Sequence, residues 1–154
     1  MPTPSERLSE LGLSLPKAPE PVAAYIPSKK SGNLLYISGQ LPMRDGVLMA
    51  TGTVPGAVSL ATAQECARQC VLNGLAVAAA AAGSLENVAQ VIRVGGFVAS
   101  DPGFSDQPKV INGASELLQE IFGESGRHAR AAVGSVALPL DACVEVELLL
   151  ELKG

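Results

Sequence analysis

The chain has no tryptophan and only one histidine, and its two tyrosines and three phenylalanines make aromatic residues 3% of 154 residues. Charged residues are also scarce, at 17%, against roughly 25% in an ordinary globular domain. No cluster of lysine and arginine occurs, and the formal net charge is −4. A nucleic-acid reader needs a positive footprint and often stacking aromatics, so nucleic acid is not expected as a partner. The longest apolar run, residues 71–82, is interrupted by Asn73 and Gly74 and is too short to cross a bilayer. The opening "MPTPSERLSELG" has no apolar stretch of signal-peptide length. A cytoplasmic protein that does not associate with membranes is expected.

Cysteine is nearly absent as well. Three occur, Cys66, Cys70 and Cys143, an odd number that does not make a disulfide framework. Cys66 and Cys70 share one helix face but lack nearby third and fourth ligands. The expectation is two buried thiols and no metal site. A domain this poor in charge has little polar surface with which to cover itself, which points to a subunit interface.

What is present reads as alternating strand and helix signals. Residues 4–11 form a short amphipathic helix with Ser5 as a candidate cap, and the three prolines of 15–22 make an extended arm. Residues 22–28 and 34–42 read as extended segments, and Asp45-Gly46 marks a tight hairpin. A long helix runs over 59–83, from a Ser59 cap to a Gly83 stop. Residues 88–100 form a strand whose Gly95-Gly96 pair signals a bulge or a close backbone approach. A helix over 107–122 and two closing strands, "ARAAVGSVAL" and "CVEVELLLELK", complete the order. The fold class is α+β: a mixed six-stranded sheet with two helices on one face and a short N-terminal helix. Residues 1–22 are the helix and arm, and residues 23–154 are the main domain.

The stretch "GRHARAAVG" concentrates charge where the chain is otherwise apolar. If the turn at 138–141 closes an antiparallel hairpin, Arg130 shares the face away from the helices with Glu145 and Glu147. Glu145 then lies roughly 13 Å along the strand. Arginine beside small residues can grip a carboxylate through two parallel hydrogen bonds. It can equally form a structural pair with Glu147, and the pattern alone leaves both open.

Three segments together resemble the Rid family, also called the YjgF or liver perchloric-acid-soluble protein family. They are Tyr25 followed by "SGQLP", "VING" at 110–113, and "ARAAV…LP…VEVE". The resemblance implies a chorismate-mutase-like fold and a homotrimer with clefts between subunits. It also implies hydrolysis of reactive enamine and imine forms of amino acids to 2-keto acid and ammonia, with no cofactor. On this resemblance Arg130 holds the substrate carboxylate and Glu145 positions the attacking water. Tyr25, Ser38, Gly39, Asn112 and Ala132 line the cleft. His128 stands where better-known members have proline, and is placed at the rim. The alternatives are a non-catalytic trimer that senses small carboxylates or acts in a chaperone-like way, and, less favoured, the endoribonuclease of the family's older label.

Overall fold

The computed structural model describes residues 1–20 and 24–154. Residues 21–23, where the arm was expected to meet the main domain, lie outside the described residues. The first helix, α1 (Pro4–Glu10), starts from Thr3, whose hydroxyl accepts the Glu6 N–H while the Glu6 carboxylate accepts the Thr3 N–H. Thr3, and not Ser5, is therefore the cap. The Ser5 N–H is instead donated to Glu86, tying α1 to the 84–87 turn. Leu8 is buried in the common core, so α1 packs as part of the same body.

Five strands form the main sheet: β1 (Ser28–Ser31), β2 (Leu34–Gln40), β5 (Val88–Ala99), β6 (Ala129–Ser135) and β7 (Val144–Leu152). Their order across the sheet is β1-β2-β7-β5-β6, and only β5 and β6 run parallel. The expected α+β class holds. The count in this sheet is five and not six, because β3 (Met43–Arg44) and β4 (Val47–Leu48) form a separate hairpin. That hairpin turns at Asp45 (φ 54°) and Gly46 (φ 79°), as the Asp-Gly pair predicts. Of the first extended segment, residues 24–27 are not in a strand, and β1 begins at Ser28.

Helices α2 (Leu60–Ala82) and α3 (Gln107–Phe122) cover one face, α2 over β2 and β7 and α3 over β5 and β6. Ser59 caps α2 by accepting the Thr62 N–H, and Gly83 ends it in the left-handed conformation. Small residues let both helices sit close to the sheet. A Cβ on Gly74 would come within 2.9 Å of the Leu148 side chain. Asn73, next to it, donates to the Leu41 and Met43 carbonyls and so fastens the hairpin to α2. Gly96 allows a similar approach by α3, since a Cβ there would lie 2.5 Å from the Ile111 side chain. The register shifts of β5 fall between Val88 and Arg93, so the Gly95-Gly96 pair serves close approach and is not a bulge.

The largest departure from expectation concerns the last two strands. β6 and β7 do not form a hairpin, because β5 lies between them. Residues 136–143 cross the end of β5 through a turn with Leu140 and Asp141 at positive φ. In the parallel β5–β6 register Arg130, Ala132 and Gly134 stand beside Val94, Gly96 and Val98. Val94 and Val98 are fully buried under the helices. Arg130 therefore faces α3, and the expected common face with Glu145 and Glu147 does not exist. The outer face carries Tyr36, Arg93, Phe97, Val133, Glu145 and Glu147, with Tyr36 and Val133 exposed.

Candidate functional site

The sequence-predicted residues gather in two separate groups. The first surrounds a break in β2. Pairing with β7 is regular from Leu34 to Ile37, then shifts before Gln40. Ser38 and Gly39 occupy this irregularity. Ser38 donates its hydroxyl to the Ile26 carbonyl at 2.7 Å, and its N–H to the Pro27 carbonyl at 2.9 Å. These bonds hold the 24–27 segment against β2 and bring Tyr25 alongside. Tyr25, Pro27, Ser38, Gly39 and Gln40 line a cavity of about 130 Å³.

Glu145 reaches this group from β7. Its carboxylate lies where a Cβ on residue 39 would be, so glycine at that position makes room for the acid. Partial burial raises the Glu145 carboxyl above the ordinary glutamate range, and the negative charge of Glu147 adds to the effect. Glu147 itself pairs with Arg93 at 3.3 Å on the outer face. The structural pairing considered for Arg130 thus belongs to a different arginine.

The second group lies two strands away, between β6 and α3. The Arg130 guanidinium donates to the Ser115 hydroxyl at 3.1 Å and to the Pro108 carbonyl at 3.2 Å. Pro108, Asn112 and Ser115 recur at helical spacing and share one side of α3. Asn112 therefore lies between the two anchors of the arginine, and Ala132 is its neighbour on the same face of β6. A guanidinium has five N–H donors, so two internal bonds leave most of its fork free. His128 is half-buried. Its Nε2 lies 2.9 Å from Ser115 Oγ and its Nδ1 2.6 Å from the Gly126 carbonyl. Both ring nitrogens are engaged inside the chain.

Ser115 is the residue that sequence reading missed. It is 6% exposed and joins His128 to Arg130. A serine inside a helix gives little signal alone. Its spacing from Pro108 and Asn112 was the available clue.

The three cysteines are all buried, and Cys143 comes within hydrogen-bonding reach of Cys66. Burial pushes the Cys70 thiol well up, so it stays protonated and unreactive. Among the described residues, no three His, Cys, Asp or Glu side chains gather as a metal ion would require. No helix among them is long and apolar enough to cross a membrane.

Residues 5–152 match the family model described as "YjgF/chorismate_mutase-like, putative endoribonuclease". The chain belongs to this family. It is 42% identical over 148 residues to protein TCP17 of Trypanosoma cruzi, covering 96% of this chain and 92% of that one. It is 29% identical over 142 residues to the 2-iminobutanoate/2-iminopropanoate deaminase of Dermatophagoides farinae, covering 92% of this chain and 95% of that one. A solved structure from Agrobacterium tumefaciens superposes with a TM-score of 0.91 at 49% identity, covering 97% of this chain and 92% of the other. The mixed sheet with helices on one face is a YjgF/chorismate-mutase-like fold.

Proposed function

We propose that the protein hydrolyses 2-imino acids to 2-keto acids and ammonia, in clefts completed by a second copy of the chain. The observation that carries this reading is the Arg130 guanidinium, pinned to α3 by two bonds with most of its donors free. A carboxylate beside it would be gripped in a fixed orientation. Family membership and the deaminase relative support the choice of an imine as the group next to that carboxylate.

The reaction needs few groups. The iminium carbon is already electrophilic. Water adds to it, forming a C–O bond, and gives a proton to the Glu145 carboxylate. That proton passes to nitrogen, the C–N bond breaks, and the hydroxyl proton leaves with ammonia as ammonium. Glu145, with its raised carboxyl pKa, exchanges a proton nearer neutrality than an ordinary glutamate, which suits a general base and acid. Tyr25, Ser38 and Gly39 line the Glu145 side of the cleft. Asn112 and Ala132 line the Arg130 side.

One chain does not close this site, because its Arg130 and Glu145 face apart. A trimer in which each β6–α3 edge meets a neighbour's β2–β7 face supplies both halves, consistent with the low charge and with Tyr36 and Val133 standing exposed on the outer face. A second reading follows from the same separation. Arg130 can hold a small carboxylate with no acid or base beside it, which makes a carboxylate sensor. Ribonuclease chemistry is disfavoured, because the chain's one histidine is committed to Ser115 and Gly126.

The test generates imino acid with an amino-acid oxidase and traps it with semicarbazide. Wild type is expected to suppress trapping, and Arg130→Ala to lose that effect. Equal suppression by both proteins removes the arginine's role. Binding of pyruvate without turnover selects the sensor.

A further inference from the structure

We propose that His128, acting through Ser115, is the positioning residue that orders the Arg130 guanidinium; as a statement about substrate binding, this rests on the carboxylate-binding reading above. A carbonyl oxygen only accepts, so the 2.6 Å contact between His128 Nδ1 and the Gly126 carbonyl places a proton on Nδ1. In the neutral ring Nε2 then carries a lone pair aimed at Ser115, 2.9 Å away. The Ser115 hydroxyl donates to that lone pair. Its oxygen is left to accept from Arg130 Nη1 at 3.1 Å. The chain of bonds has one direction throughout, Arg130 to Ser115 to His128 to Gly126, and every donor has its acceptor.

Ser115 is 6% exposed, so little water competes for these bonds. A buried helical serine has another acceptor, the carbonyl one turn earlier, here that of Ile111. Without the imidazole, the hydroxyl rotates to that carbonyl and its lone pairs turn away from Arg130. The guanidinium then keeps only the Pro108 carbonyl and samples other rotamers. His128 touches neither substrate nor reacting atoms. Its effect passes through the Ser115 hydroxyl.

The test uses the full chain and three variants: His128→Leu, which removes both ring nitrogens; His128→Gln, whose amide oxygen restores an acceptor near Nε2; and Ser115→Ala. The first readout is ¹⁵N relaxation of the Arg130 Nε–H. It is expected to be rigid in wild type and His128→Gln, and mobile in His128→Leu and Ser115→Ala. The second is pyruvate affinity and the KM for imino acid. Losing one ordered side chain should weaken both by about 5- to 10-fold, with kcat changed less than about twofold. The third uses the fact that His128 is the chain's one histidine. In mildly alkaline buffer its ring ¹⁵N shifts should report the Nδ1-protonated tautomer.

An Arg130 equally rigid in His128→Leu and Ser115→Ala overturns the inference. So does failure of His128→Gln to restore order, or an Nε2-protonated ring in wild type. Should His128→Leu not fold, Ser115→Ala decides the point. If wild type neither binds pyruvate nor acts on imino acid, the carboxylate reading fails alone, and the order of Arg130 still decides the positioning role.

Discussion

Arg130 and Glu145 stand on opposite faces of one sheet, with β5 between their strands. Arg130 lies beside Val94 and Glu145 beside Phe97, so their Cα atoms are about 14 Å apart by strand spacing and rise. A side chain pointing up and another pointing down cannot share one small substrate across that distance. If both act in one reaction, they come from different copies.

This gives a complementation test. Arg130→Ala and Glu145→Ala are each expected to lower imine hydrolysis by about 10²-fold or more. Unfolding the two variants together and refolding them as a 1:1 mixture should restore activity. A cleft that draws its arginine from one chain and its glutamate from another is intact in about a quarter of random pairings. Recovery near that fraction supports the shared cleft. A mixture no more active than its components shows that both groups must lie in the same chain, against the proposed assembly.

The residues that made the fold legible are those whose chemistry is local. Ser59 and Gly83 bracket α2, Asp45-Gly46 turns a hairpin, and period-two alternation gives the faces of β7. The orientation of β6 was not legible. Its residues are mostly Ala and Gly, so neither face is marked as apolar or polar. Its partner is chosen by the packing of α3 and the crossing at 136–143, which no short pattern encodes. That single unseen partner reversed the face of Arg130. Ser115 was missed for a related reason: its role depends on a histidine just before β6 and an arginine on that strand.

Glu145 makes a pH prediction with a definite sign. Its carboxyl is raised first by burial and then by Glu147, so the folded state holds this proton more tightly than the unfolded chain. Stability from this group is greatest when it is protonated, falls as pH rises from about 4 through the raised value, and is flat above it. Glu145→Gln should therefore unfold at a higher temperature than wild type at neutral pH, with the gain vanishing below about pH 4. In wild type, kcat/KM for imine hydrolysis should rise with a midpoint above the ordinary carboxylate range, and Glu147→Gln should move it down. An unmoved midpoint in that variant would assign the titration to another group.

Glu86 predicts the opposite sign at the other end of the molecule. Hydrogen bonds from the Ser84 hydroxyl and the Ser5 N–H hold its carboxyl down at about 2. Its contribution is present above the unfolded value of about 4.3 and is lost as pH falls from there toward 2. Because its partner is the first turn of α1, the loss should be local. Glu86→Gln is expected to reduce hydrogen-exchange protection of α1 at neutral pH while amides of β5 and β7 keep theirs. Acidification should reproduce this in wild type. Unchanged α1 protection in the variant would mean that Leu8 and its packing hold the helix without the carboxylate.

Two glycines separate folding from function under the same substitution. A Cβ on Gly96 would meet the branched, fully buried Ile111 side chain at 2.5 Å, where a central strand packs against α3. Gly96→Ala should cost about 1–3 kcal/mol in urea unfolding, as overpacked cores do. Ile111→Ala should remove much of that penalty, so the double variant is less destabilised than the sum of the two single changes. The nearest atoms to a Cβ on Gly39 all belong to the Glu145 side chain, which is half-buried and can swing aside. Gly39→Ala should therefore stay within about 0.5 kcal/mol of wild type. It should nonetheless lose imine hydrolysis by about 10²-fold, as removal of a general base does, because the carboxylate no longer occupies its place against residue 39 of β2. A Gly39→Ala protein with normal turnover would show that the position of the Glu145 carboxylate against β2 does not matter to the reaction.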